Sequence, residues 1–82
     1  MAKAREGQIL GETVRRLRTG RGWTQEDLAD AAELTATYVG QVERGDKVPS
    51  LTVVLKLARG LSVAPSDLLQ GFSPSVLRNL KL

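Results

Sequence analysis

The chain of 82 residues contains no cysteine and no histidine. The first absence excludes disulfide staples and thiolate metal sites. The second removes the commonest general base and the commonest metal ligand. No nucleophile–base pair or metal-ligand cluster can be assembled from what remains, so neither an enzyme, a metal nor a cofactor is expected. Aromatic residues make up only 4% of the chain against 41% hydrophobic residues in all, so the core must be aliphatic. No apolar run reaches the ~18 residues of a membrane span. The N-terminus "MAKAREGQIL" also lacks the apolar stretch of a signal peptide. The expectation is a cytoplasmic protein with no membrane partner, large enough for one domain with one modest core.

What is present is charge with a pattern. The net charge is +3. Residues 1–22 hold six basic side chains against Glu6 and Glu12; residues 23–46 hold Arg44 against Glu26, Asp27, Asp30, Glu33, Glu43 and Asp46. Residues 47–82 return to a basic balance, with Asp67 their lone acid. Basic flanks around an acidic middle suit a polyanion gripped at the edges. A solvated charged surface would look the same on charge alone.

Strand signals are nearly absent and helix punctuation is frequent. Leu10, Val14 and Leu17 recur at helical spacing, predicting an amphipathic helix over residues ~7–20, with Gly20 and Gly22 available for a C-terminal cap. Thr24 then reads as an N-cap with Asp27 three residues on, and Trp23 and Leu28 occupy hydrophobic-staple positions. The pattern breaks at Glu33-Leu34. Thr35 caps a third helix, which Gly45 stops. Ser50 caps a fourth, whose apolar face reads as Leu51, Val54, Leu55, Ala58 and Leu61. Pro65 and Asp67 open a short fifth helix. The organisation predicted is a basic, flexible arm (1–6), an all-α five-helix domain (7–70) and an apolar tail (71–82).

The second and third helices, with the short turn between them, have the layout of a helix-turn-helix, whose second helix can lie in the DNA major groove. Ala29 stands where the two would cross, and only a small side chain lets the backbones approach there. Leu28, Val39 and Val42 supply buried contacts. Projected at about 3.6 residues per turn, Ala36, Thr37, Gly40, Gln41 and Arg44 form one outward stripe.

The ordered set "TQEDLA", "YVGQVERG", "PSL", "LARGL" and "PSDLL" over roughly residues 9–69 resembles the phage-repressor-type (lambda repressor/Cro, Xre-like) helix-turn-helix domain. That resemblance implies a compact lambda-repressor-like fold whose outward stripe faces the major groove. It assigns Ala36, Thr37 and Gln41 to base reading. The Gln41 amide can bond adenine N7 and N6, and Ala36 and the Thr37 methyl can touch a thymine methyl. Gly40 would allow close approach to the groove. Gln25 matches a phosphate-contacting glutamine at a helix N-terminus, and Tyr38, Arg44 and Lys47 flank the stripe as further phosphate contacts. Arg15, Arg16 and Arg21 are either phosphate contacts or plain surface charge. The matching arginine and glutamate, Arg18 and Glu43, are implied to form a structural ion pair. Trp23 reads as a core lid.

Several positions depart from the family pattern. Glu33 stands where a positive φ usually calls for glycine. Gly60 and Ser62 suggest that the fourth helix ends early, and Ala64 is a poor N-cap. Ala36 replaces a longer polar side chain, which raises the value of dimerisation.

The reading is a sequence-specific regulator of transcription that binds double-stranded DNA, acting as a homodimer with no small-molecule ligand. Leu68, Leu69, Phe72, Val76, Leu77 and Leu80 either make the dimer contact or fold back to complete the core. The alternative is a protein-interaction module, an adaptor or antitoxin, on the same fold.

Overall fold

A computed structural model describes residues 3–82. Among these the chain folds into six helices: α1 (Arg5–Gly20), α2 (Gln25–Ala32), α3 (Ala36–Glu43), α4 (Leu51–Leu61), α5 (Pro65–Leu68) and α6 (Pro74–Asn79). None is long and apolar enough to cross a membrane. One aliphatic core joins the first five. Leu10 and Val14 of α1 meet Leu28, Ala29 and Ala32 of α2, Val39 and Val42 of α3, Val54, Leu57, Ala58 and Leu61 of α4, and Leu68 of α5. Trp23, half-buried, packs against this cluster as the expected lid.

The polar punctuation does what its chemistry predicts. The Asp27 amide donates to Thr24 Oγ1 at 3.1 Å while the Thr24 amide donates to Asp27 Oδ2 at 2.9 Å, a complete capping box. Thr35 and Ser50 each accept from the amide three residues on, at 3.1 and 3.2 Å. Such caps matter for α2 and α3, which are eight residues each and too short to persist alone. Glu33 ends α2 in the left-handed region at φ 57°, as its position implied.

Four expectations are corrected. First, α1 begins at Arg5, so Arg5 and Glu6 belong to the helix. Gln8 donates its amide to the Ala4 carbonyl at 3.2 Å, and Glu6 sits in the first turn where the helix dipole favours an acid. Of the predicted arm, residues 1 and 2 lie outside the described residues. Second, the buried face of α4 is Val54, Leu57, Ala58 and Leu61, leaving Leu51 and Leu55 exposed. Both stripes have helical spacing, and packing on α2 selects the one that contains Leu57. Third, α4 does not end early. Gly60 lies inside it because a Cβ there would come 3.0 Å from the Ala32 nitrogen and 3.1 Å from the Ala31 carbonyl carbon. Ser62 then caps the helix in the left-handed region at φ 56°. Fourth, the tail contains α6, started by Ser73, which accepts from the Val76 amide at 3.2 Å, and by Pro74 at N1.

Gly7 and Gly11, one turn apart on α1, are both buried. A Cβ on Gly11 would stand 2.3 Å from the Val42 carbonyl oxygen and 2.7 Å from that of Glu43. The end of α3 therefore docks directly on the backbone of α1. Gly7 makes the equivalent approach to the loop after α3, with a Cβ there 3.3 Å from the Lys47 carbonyl oxygen. This pair of glycines sets the height at which α3 is held.

Candidate nucleic-acid interface

Helix α3 is anchored at both ends. Val39 and Val42 are fully buried, so packing rather than intrinsic propensity holds its weak helix formers in place. Near its C-terminus, Glu43 is buried and receives Arg18 from α1 through two bonds, Nε to Oε2 at 2.6 Å and Nη2 to Oε1 at 2.9 Å. Arg18 Nη1 also donates to the Trp23 carbonyl at 2.8 Å. The hydrogen bond to Glu43 raises the Arg18 pKa further above its usual value. This is the predicted ion pair.

Gln25, in the first turn of α2, donates through Nε2 to Glu43 Oε1 at 3.1 Å. The same carboxylate therefore gathers α1, α2 and α3 at one point. That Gln25–Glu43 bond was not foreseen from the sequence, where the two residues lie eighteen positions apart. The Gln25 side chain lies beside Gly40: a Cβ on Gly40 would stand 3.3 Å from Gln25 Oε1 and 3.1 Å from Arg44 Nη1. Gly40 is buried. Its small size makes room for the Gln25 and Arg44 side chains, which cover it on the outer side of α3.

The outward stripe thus narrows. Thr37 and Arg44 are exposed and Gln41 is half-buried; Ala36 is half-buried, packed against the core cluster. Tyr38, half-buried against the same cluster, lines an open hollow with Glu33, Leu34, Thr35 and Val53. Lys47 is exposed in the loop that follows. Arg21 is engaged elsewhere, donating to the Leu61 carbonyl at 2.8 Å with its guanidinium 4.3 Å over the Trp23 ring. Arg15 and Arg16 are exposed on α1.

Beyond α3, Gly45 turns the chain at φ 77°, packed so tightly on Gln8 that a Cβ would lie 2.8 Å from Gln8 Cγ. Asp46 follows, its amide donating to the Gln41 carbonyl at 2.9 Å. Its carboxylate meets Arg44 Nε at 3.1 Å and Lys3 Nζ at 3.2 Å. Lys3 also donates to the Arg44 carbonyl at 2.7 Å. Lys3, expected in a flexible arm, is therefore tied to the end of α3. An acid two residues after Arg44 was the sequence signal for this cluster.

Residues 9–70 match the family described as "Helix-turn-helix domain". The chain belongs to this helix-turn-helix family. The HTH-type transcriptional regulator SutR of Escherichia coli is 35% identical over 72 residues, covering 84% of the chain but only 40% of that protein's own length. Control protein C.BamHI of Bacillus amyloliquefaciens is 37% identical over 62 residues, covering 74% of the chain and 76% of its own length. Among solved structures, the restriction-modification controller protein C.AhdI of Aeromonas hydrophila superposes with a TM-score of 0.75 at 43% identity, covering 77% of the chain and 96% of the controller. The helix-turn-helix of the present chain is α2–turn–α3.

The apolar residues assigned to dimer contact divide. Leu68 is fully buried and takes the core-completing alternative of the two. Phe72 packs against the core, and Gly71 lies on α1, where a Cβ would be 2.7 Å from Ile9 Cγ2. Leu69 and Leu77 are exposed, and Val76 and Leu80 are half-buried.

Proposed function

We propose that the chain is a sequence-specific transcriptional regulator that binds double-stranded DNA, with α3 in the major groove. The single observation that carries this reading is the state of α3. Its inner residues and both neighbouring helices fix it rigidly, while its outer side chains, Thr37 and Gln41, are small or amide-bearing and make no bond to the rest of the described protein. Bases are read by hydrogen bonds and methyl contacts, whereas charge belongs at phosphates. Arg44 and Lys47 at the end of the helix, and Gln25 at the start of α2, are the phosphate contacts. Ala36 contributes a methyl at the margin.

Relatives named as transcriptional regulators and a restriction-modification controller support regulation as the role. A helix of eight residues reads only a few base pairs. We infer a homodimer on a two-fold operator with half-sites ~34 Å apart, in the cytoplasm. Exposed Leu69 and Leu77, with Val76 and Leu80 half-buried near them in the chain, supply apolar surface for the contact.

Titrating random and site-selected duplexes at several salt concentrations tests the reading. Expected are a preferred site and a steep negative slope of log K against log salt. Weak binding of every duplex, flat with salt, would instead favour the protein-interaction module.

A further inference from the structure

Asp46 occupies an unexpected place for an acid. Its backbone amide is fixed to the Gln41 carbonyl, so its carboxylate stands just beyond the C-terminal end of α3. There it holds the two nearest cations, Arg44 at 3.1 Å and Lys3 at 3.2 Å. Lys3 is held a second time by the Arg44 carbonyl, at the negative end of the α3 dipole. All three side chains are partly exposed, so the cluster is open to solvent and to a phosphate.

We propose that Asp46 is a specificity-determining residue that occupies Lys3 and Arg44 in place of DNA phosphates and so suppresses binding to non-cognate duplexes. This rests on the DNA-binding reading of α3. A carboxylate and a phosphate oxygen compete for the same N–H donors, and Asp46 also repels any phosphate that approaches Arg44. Engaging phosphate with either cation therefore loses part of its attraction while the contact with Asp46 persists. On a cognate site, seating Thr37 and Gln41 in the groove brings the backbone close and offsets that loss. On other sequences α3 sits less deeply and the loss is not offset. The clamp thus discriminates without touching a base.

The direct test compares the whole protein with Asp46→Asn, and with Asp46→Ser as a second neutral variant, on a site-selected duplex and a random duplex across salt. Thermal melting of each variant confirms folding. Both variants should bind random DNA several-fold more tightly, with a smaller gain on the selected site, so that the specificity ratio falls. The salt slope on random DNA should steepen by about 0.9 for each cation released, or ~1.8 for both. Lys3→Ala added to Asp46→Asn should remove about half of that increment. An unchanged slope and ratio would overturn the proposal and leave the DNA-binding reading intact. Weaker binding to both duplexes would also overturn it, by showing that Asp46 organises the cations for DNA. Failure of the wild-type protein to bind any duplex would overturn both readings together.

Discussion

Arg18 and Glu43 face each other in a two-bond pair whose side chains are 11% and 3% exposed, linking the first helix to the end of the third. With Gln25 on the same carboxylate, the side-chain hydrogen bonds that tie α3 to α1 and α2 among the described residues all converge on Glu43. Removing one partner leaves the other buried and uncompensated. Arg18→Met should cost about 3–5 kcal/mol, read as a shift in the urea midpoint. Adding Glu43→Leu, which removes the stranded charge, should recover much of the loss; no recovery would show that the pair is not the source of the cost.

The docking of α3 on bare backbone makes a sharp contrast between two glycines of one helix. Gly11→Ala drives a methyl into two carbonyl oxygens and should destabilise by about 1–3 kcal/mol or more as α3 is pushed outward. Gly20→Ala meets nothing within 4 Å and has ordinary helical φ, so it should stabilise by about 0.4–1 kcal/mol. Equal effects from the two would contradict the close approach.

The tail separates folding from assembly. Leu68→Ala should lower stability by about 2–5 kcal/mol because the side chain is fully buried. Leu69→Glu combined with Leu77→Glu, both exposed, should leave melting nearly unchanged and shift sedimentation equilibrium toward monomer. If the double variant melts early but stays dimeric, the assignment is reversed.

The starts of α2, α3 and α4 and the inward faces of α2 and α3 were legible because side-chain caps and apolar spacing are local. Thr24, Thr35 and Ser50 each needed only the amide three residues on. The lambda-repressor-like, all-helical fold and its helix-turn-helix followed from those signals and from motif order, as the match over residues 9–70 shows. Less legible was anything decided by a distant partner. Gly40 has a position on the outer projection of α3, but Gln25 from another helix covers it. Leu51 and Leu55 share the spacing of a core face that α2 does not use, and Leu68 is assigned to the core only once α4 and α1 close over α5. Gly7 and Gly11 carry no side-chain pattern at all; only the neighbouring carbonyls reveal why they are glycine. Asp46 needed the fold to bring Lys3 across the chain.

Acid pH should act on the Asp46 cluster. Hydrogen bonds from Lys3 and Arg44 hold the Asp46 carboxyl below its ordinary value of 3.8. A depressed folded-state pKa contributes stability that is present above the unfolded value and lost as pH falls through the folded one. The melting difference between wild type and Asp46→Asn should therefore be constant at neutral pH and shrink only below about pH 4. A difference that changes between neutral pH and pH 5 would contradict this assignment.

The most direct test of α3 as the reading helix is selection of sites from a randomised duplex library by the wild-type protein and by Gln41→Ala. The wild type should enrich a two-fold site, and the variant should lose preference at one symmetric position, worth about 1–3 kcal/mol, while keeping the others. Enrichment of no site by the wild type, or an unchanged site with Gln41→Ala, would contradict it.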